Sequence, residues 1–198
     1  FVGGGAGNDS FTAVDGDGND VCDGGNGTDT LKYNLSTKAV SVDLLNGKAS
    51  GQTIGADTIT NIENVIGTTF ADSITGNASV NTFTGNGGAD TFNFLNKQTF
   101  GASSSDIITD FSADDKVVFS RAAFGIASTA TVSCSTVSGS TAVNTALSSG
   151  NLFVYDTSTG NLWWNQNGTA SGAGTGGILA VLSNKFTGFA AGNIGLVA

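Results

Sequence analysis

The sequence contains no histidine, no methionine and no proline, and only two of its 198 residues are cysteine. Without histidine there is no Ser-His-Asp triad, no HExxH zinc site and no histidine general base. Cys22 and Cys134 form neither a CxxC pair nor a disulfide framework, so we expect two small buried thiols rather than a mutual disulfide. No apolar run approaches the roughly 20 residues that a membrane-spanning helix needs.

Positive charge is also scarce, with 7 basic residues against 16 acidic ones and a net charge of −9. Such a chain repels phosphate backbones and anionic lipid, so we expect neither a nucleic-acid partner nor membrane insertion. All of the acidic residues except Glu63 are aspartates, which lie among glycines and asparagines. Turns rich in carboxylates indicate a hard cation such as Ca²⁺. Because only 12% of the residues are charged and 39% are hydrophobic, the chain is expected to fold.

The main pattern is a nonapeptide repeat of the form GGxGxDxUx, in which U is a large apolar residue. A first array contains units at 4–12, 15–23 and 24–32, and a second array begins at Gly67 and restarts at Gly76 and Gly85. The last unit, GNGGADTFN, is well preserved, whereas GTTFADSIT and GNASVNTFT are degraded. The chain opens in the middle of such a repeat and not on a signal peptide, which predicts a fragment of a longer protein.

Each repeat predicts a six-residue glycine-rich turn followed by a three-residue strand whose U side chain points inward. Successive strands cross a flattened solenoid in opposite directions, so carboxylates two repeats apart should meet. Asp9 should then face Asp29, and Asp72 should face Asp90, whereas Asp20 and Asn81 should each lie on the opposite edge from their pair. Stacked carboxylates repel one another unless a cation lies between them.

Ca²⁺ held by aspartates and turn carbonyls fits this gap, and the alternative is a solenoid of glycine and aspartate turns without metal. An EF-hand fits less well, because Asp20 stands where the loop needs glycine and Asn26 where it needs glutamate. The candidate ligands in the first array are Gly5, Gly7, Asp9, Gly16, Asp17, Gly18, Asp20, Gly25, Asn26, Gly27 and Asp29. In the second array they are Asp72, Asn86, Gly88 and Asp90.

These repeats resemble the RTX (repeats-in-toxin) β-roll, the calcium-binding module of proteins exported by bacterial type I secretion. The resemblance implies an all-β chain, with a parallel β-roll in two short arrays and a β-rich C-terminal cap. The corresponding segments are the first array at 1–32, an intervening β segment at 33–66, the second array at 67–94, and the cap with its secretion signal at 95–198.

Residues 33–66 interrupt the repeats. Val40 and Val42 alternate with polar residues, as in a half-buried strand, and Asn46-Gly47 indicates a turn. Residues 55–67 resemble the linker that leads into RTX arrays. Glu63 lies there without a convergent partner, so we expect a structural rather than a catalytic role.

The segment after residue 94 resembles the part that closes the β-roll in serralysin-type proteins. By this resemblance Asp106 and Asp110 bind a further calcium ion; an ordinary strand edge followed by an acidic turn is the alternative. Residues 152–156 and 161–165 predict a hairpin that pairs with 177–182, and this pattern resembles the cap that follows RTX arrays. The apolar tail at 186–198 resembles an uncleaved type I export signal, and a final cap strand explains it equally.

Three classes of function remain. The first is a calcium-dependent folding and export module that binds several Ca²⁺ ions, passes through the type I secretion machinery and works outside the cell. The second is a calcium-bridged S-layer or adhesin protein that self-associates at the cell surface. The third is an enzyme, which we do not expect in this chain because the repeat turns account for every aspartate cluster; the chain could still be the non-catalytic tail of a secreted enzyme.

Overall fold

The computed structural model describes residues 2–96, 101, 103–168, 170–174 and 176–198. These residues form an all-β structure, in which two mixed sheets of nine strands each are accompanied by short helices. The strands are β1 (Val2–Gly3), β2 (Ser10–Thr12), β3 (Val21–Asp23), β4 (Thr30–Lys32), β5 (Val40–Asp43), β6 (Lys48–Gly51), β7 (Gly55–Thr60), β8 (Asn64–Ile66), β9 (Ser73–Thr75), β10 (Thr82–Thr84), β11 (Thr91–Phe94), β12 (Asp106–Ile108), β13 (Lys116–Ser120), β14 (Cys134–Val137), β15 (Phe153–Asp156), β16 (Asn161–Trp164), β17 (Gly177–Leu182) and β18 (Ile194–Val197). The helices are α1 (Arg121–Phe124), α2 (Ser140–Leu147) and a 3-10 turn at Ala191–Asn193.

The repeat strands alternate between the two sheets. The first sheet has the order β1-β3-β7-β6-β5-β9-β11-β13-β18, and the second has the order β2-β4-β8-β10-β12-β17-β16-β15-β14. Repeat strands that neighbour one another within a sheet are parallel, with Phe11 beside Leu31 in the second sheet and Ile74 beside Phe92 in the first. The predicted six-residue turns and three-residue strands are therefore present, and each turn carries the chain from one sheet to the other.

The U residues of the repeats form the core between the sheets. Ile74, Phe83 and Phe92 are completely buried, and Phe83 stacks on Phe92 with ring centroids 6.1 Å apart. Phe111, from the segment after the second array, continues this stack at 6.2 Å from Phe92. A single apolar cluster joins both arrays and the cap, so the segments recognised in the sequence share one core.

The segment between the arrays contributes a three-stranded meander, β5 to β7, to the first sheet and one strand, β8, to the second. β5 pairs antiparallel with β6, and β6 pairs antiparallel with β7, which confirms the strand predicted at Val40 and Val42. The second sheet passes directly from β4 to β8 and then to β10. Along the second sheet only β8 therefore lies between the two arrays, whereas β5, β6 and β7 separate them along the first.

The cap contains the predicted hairpin of β15 and β16, and β17 pairs antiparallel with β16 as expected. β17 also lies parallel to β12, so the hairpin extends the second sheet, and β18 lies parallel to β13 at the end of the first. Trp164 is buried, whereas its neighbour Trp163 is only partly buried. Cys22 and Cys134 are both free; Cys22 is buried as expected, whereas Cys134 is only partly buried. Burial raises the pKa of their thiols to about 11 and about 12.

Candidate metal-binding turns

The residue that precedes each repeat strand lies in a row along one edge of a sheet. In the second sheet this row, here the Asp9 row, consists of Asp9, Asp29, Glu63, Asn81 and Asp106, which follow one another across β2, β4, β8, β10 and β12. In the first sheet the Asp72 row consists of Asp72, Asp90 and Asp115, beside β9, β11 and β13. The rows lie on opposite edges because the strands of the two sheets are entered from opposite sides.

In the Asp9 row, the backbone amides of Asp9, Asp29 and Asn81 each donate to the side chain of the next row member, whereas the Glu63 amide donates to the Asp29 carbonyl. The Asp9 amide donates to Asp29 Oδ1 at 2.7 Å, and the Asp29 amide donates to Glu63 Oε2 at 2.9 Å. Further along, the Asn81 amide donates to Asp106 Oδ1 at 2.9 Å, and Asn81 Nδ2 donates to the Glu63 carbonyl at 3.1 Å. Asp9 and Asp29 thus meet as their spacing predicts, and Glu63 has the structural position expected of it.

The Asp72 row repeats this arrangement on the other edge. The amides of Val40, Asp72 and Asp90 donate to the Oδ1 atoms of Asp72, Asp90 and Asp115, each at 2.8 Å. Burial raises the pKa of Asp90 to about 7, and the negative charges of Asp115, Asp72 and Asp110 act in the same direction. Burial likewise raises the pKa of Asp72. The row therefore concentrates negative charge in a poorly solvated place.

The turns at 4–9 and 24–29 stack directly on each other. The Gly7 amide donates to the Asn26 carbonyl at 2.8 Å, and the Asn26 amide donates to the Gly5 carbonyl at 2.7 Å. In each turn the aspartate folds back over the first glycine, so that a Cβ at Gly4 or Gly24 would overlap Oδ2 of its own aspartate. The repeat needs its first glycine for this close approach.

The carboxylates of these two stacked turns are incompletely satisfied. Asp29 is completely buried, and Oδ2 of Asp29 and Oδ2 of Asp9 are buried without a hydrogen-bond partner among the described residues. Leaving a buried polar group unpaired costs about 1–3 kcal/mol, and more when the group is charged. Two unpaired carboxylate oxygens in stacked turns fit part of the donor set that a hard cation such as Ca²⁺ requires.

The other predicted ligands of the first array lie on the opposite edge. Asp17 Oδ2 accepts from the Val14 amide at 2.8 Å, and the Asp20 amide donates to Asp57 Oδ1 at 2.9 Å. Gly16 and Gly18 belong to the same turn. The structure therefore groups Gly5, Gly7, Asp9, Gly25, Asn26, Gly27 and Asp29 at one edge and Gly16, Asp17, Gly18 and Asp20 at the other.

Asp106 and Asp110 lie at opposite ends of β12 and are not brought to one site. Asp106 accepts from Asn81 before β10, whereas Asp110 accepts from the amides of Gly85 and Asn86 after β10, at 3.0 and 2.7 Å. Asn86 Nδ2 in turn donates to the carbonyl of Gly67 in the adjacent turn at 2.8 Å. A Cβ at Gly88 would overlap the backbone at residues 70 and 71 of that turn.

Sequence reasoning missed Asp115, a member of the Asp72 row, and Asp57, whose Oδ1 accepts from the Asp20 amide in the same manner. Both precede a short polar-apolar alternation, Asp57-Thr58-Ile59 and Asp115-Lys116-Val117, that preserves the second half of the repeat without its glycines. Glu63-Asn64-Val65 has the same form with glutamate in place of aspartate. A search of the sequence for this D-x-U pattern would have identified Asp57 and Asp115.

The side chains alone do not form a metal centre. Among the described residues, no three histidine, cysteine, aspartate or glutamate side chains gather in a group that could hold a metal ion. The reason is geometric, because the row members follow one another at the strand spacing of about 4.8 Å and therefore meet two at a time. A cation in these turns would need main-chain carbonyls as its remaining ligands, as Ca²⁺ readily accepts.

No protein-family model matches the chain, and a search of curated proteins finds no significant relative. No helix within the described residues has the length and apolar character needed to cross a membrane.

Proposed function

We propose that this chain is the calcium-binding, RTX-type module of a secreted bacterial protein and that it folds on binding Ca²⁺ outside the cell. In this proposal the repeats form a parallel β-roll, closed by the β-rich cap. The module is exported by type I secretion, and the chain itself performs no catalysis.

The strand topology supports a β-roll. Repeat strands alternate between two sheets, and equivalent residues such as Ile74 and Phe92 are paired at a separation of two nonapeptides. Each pair of nonapeptides therefore contributes one parallel strand to each sheet. This is the arrangement that a nine-residue repeat with one inward U residue requires.

The observation that carries the proposal is the pair of unpaired oxygens, Oδ2 of Asp9 and Oδ2 of Asp29. A metal-free solenoid leaves both atoms buried and uncompensated, whereas a bound cation would satisfy them. Asp9 and Asp29, together with carbonyls of the turns at 4–9 and 24–29, would hold the ion. Bound Ca²⁺ supplies positive charge between like-charged carboxylates, so its binding energy contributes to folding.

This coupling explains how one sequence can suit both export and function. In a compartment with little free Ca²⁺, the two aspartates face each other unshielded and the turns at 4–9 and 24–29 are unstable. Where Ca²⁺ is abundant, the folded state is favoured by mass action. The glycine-rich turns, which have little stability of their own, are well suited to such a switch.

The proposal is tested by far-UV circular dichroism and sedimentation velocity on the whole chain, titrated from chelator to about 10 mM Ca²⁺. We expect a calcium-driven gain of β signal that chelator reverses. Asp29→Ala should abolish the response at the lower calcium concentrations, and Asp43→Ala, at the end of β5 where the carboxylate accepts from Asn46, is the matched control. A chain whose spectrum does not change with Ca²⁺ would refute the proposal.

A calcium-bridged surface protein is the second candidate, and exposed apolar side chains favour it. Val2, Val14 and Val21 are each more than 40% exposed near the end of the first array, where β1 and β2 are the outermost strands of their sheets. Outer strands can pair with another chain. Calcium-driven growth of the sedimentation coefficient would support this candidate, and a monomer at every concentration would support the folding module.

A further inference from the structure

Asp72, the aspartate of the first unit of the second array, differs from the aspartates of the first array in its hydrogen bonding. Asp72 has both oxygens occupied: Oδ1 accepts from the Val40 amide at 2.8 Å and from Thr68 Oγ1 at 3.0 Å, and Oδ2 accepts from the Thr68 amide at 2.6 Å. Asp29 occupies the equivalent repeat position in the first array, is equally buried, and has one oxygen unpaired. Asp72 therefore has a hydrogen-bond partner on each oxygen, whereas Oδ2 of Asp29 has none.

The same difference extends to the residues around Asp72. Asp115 accepts from the Asp90 amide on Oδ1 and from the Ser112 amide on Oδ2, at 2.8 and 2.7 Å. Asp110 accepts from two backbone amides, one on each oxygen. Both oxygens of each of these carboxylates accept from main-chain donors, which are fixed in place whenever the sheets are formed.

The Gly67 carbonyl and the remaining row position of the second array also have internal partners. Asn86 Nδ2 donates to the Gly67 carbonyl, so an amide already lies where a cation would bind that oxygen. On the opposite edge the row member is Asn81, which has no charge; its Oδ1 accepts from the Asn77 amide at 2.9 Å. An amide provides the same acceptor as a carboxylate and creates no repulsion that a cation must relieve.

The degraded repeats of the second array are the source of these donors. Thr68 stands at the repeat position that Gly5 and Gly25 occupy in the first array, and its hydroxyl and amide both bind Asp72. Asn77 stands at that position in the next unit and binds Asn81. The residues that depart from the GGxGxD pattern therefore donate hydrogen bonds at the positions where the first array would need a cation.

We infer that calcium dependence is confined to the first array, and that the second array and the cap fold without metal as a template on which the first array condenses. The inference rests on the proposed function for its calcium-binding half. The continuity of the second sheet through β4, β8 and β10 provides the surface on which the first array assembles. Glu63, which accepts from the Asp29 amide, joins the two regions.

Hydrogen exchange of the whole chain, compared in Ca²⁺ and in chelator, tests the inference. With Ca²⁺ at about 100 times its Kd, we expect amides of β2 and β4 to exchange about 100-fold more slowly than in chelator. Amides of β9, β11 and β13 should exchange equally slowly in both. Calcium-dependent protection of these three strands would overturn the inference and leave the proposed function intact.

A matched pair of amide substitutions provides the second measurement. Asp29→Asn should abolish the calcium-dependent protection of β2 and β4, because the ligand charge is lost while Oδ1 can still accept from Asp9. Asp72→Asn should leave the calcium midpoint unchanged, although it lowers overall stability by removing an acceptor. A shifted midpoint in Asp72→Asn would overturn the inference. A wild-type chain protected throughout without Ca²⁺ would support metal-independent folding of the second array and refute the proposed function.

Discussion

The stacking of the two glycine turns can be tested by comparing Gly27→Ala with Gly7→Ala. Both glycines have a positive φ, +147° and +121°, in a region that side chains rarely adopt. Alanine at either site should therefore cost about 1–3 kcal/mol of backbone strain. They differ in their surroundings, because a Cβ at Gly27 would overlap the carbonyl oxygen of Gly7, whereas a Cβ at Gly7 meets nothing within 4 Å.

The additional cost at Gly27 follows from the contacts that hold the turns together. Alanine there forces the turns apart and disturbs three hydrogen bonds: Gly7 amide to Asn26 carbonyl, Asn26 amide to Gly5 carbonyl, and Thr28 amide to Asn8 Oδ1. At about 0.5–1.5 kcal/mol for each bond, the extra loss should be about 1.5–4.5 kcal/mol.

Urea denaturation of both variants in saturating Ca²⁺, followed by circular dichroism, measures this difference in the free energy of unfolding. Gly27→Ala should also require more Ca²⁺ to fold than Gly7→Ala, because the separated turns no longer place Asp9 beside Asp29. Equal losses of stability in the two variants would show that backbone strain alone governs these positions, and that the stacking of the turns contributes nothing.

Two further substitutions test the electrostatics and the packing. The folded-state pKa of Asp90 is about 7, above its ordinary value of 3.8. Protonated Asp90 therefore contributes its full stabilisation below pH 3.8, and this stabilisation is lost as the pH rises through 7. Asp90→Asn should therefore raise the Tm in chelator at pH 8 and reduce the dependence of Tm on pH between 4 and 7; a lower Tm at pH 8 would contradict this. Cys22 occupies a U position and lines a cavity of about 260 Å³ between the sheets, so Cys22→Val should raise the free energy of unfolding by about 1 kcal/mol. Cys134→Val, which is remote from that cavity, is the control, and an equal gain there would exclude cavity filling as the cause.

The repeat pattern was sufficient to predict the local structure of the arrays and much of the Asp9 and Asp72 rows. Glycine turns and inward U residues are short-range features, so strands such as β4 and β11 could be placed from sequence. The same spacing predicted that Asp9 meets Asp29 and that Asp72 meets Asp90, because two repeats return the chain to the same edge.

Long-range pairing and the satisfaction of individual oxygens could not be predicted. Nothing local in the sequence indicates that β17 pairs with β12 across the intervening cap, or that the meander of β5, β6 and β7 lies in one sheet only. The prediction that Asp106 and Asp110 share one site was wrong, because β12 separates the two side chains. Whether a carboxylate oxygen has a hydrogen-bond partner depends on donors such as Thr68. In the repeat pattern Thr68 is only a departure from the consensus glycine, so its role as a donor could not be predicted.

The placement of β17 and β18 has a consequence for the timing of folding. Residues 177–197 supply the strand that covers β12 in the second sheet and the strand that covers β13 in the first. Ribosomes make a chain from its N-terminus at about 5–20 residues per second, so both sheets have an open end until this segment has been made. The aromatic stack through Phe111 and Phe189, with ring centroids 5.5 Å apart, is likewise completed only then. The core between the two sheets therefore stays incomplete until residues 177–197 have been made, and this segment determines when the two sheets can be completed.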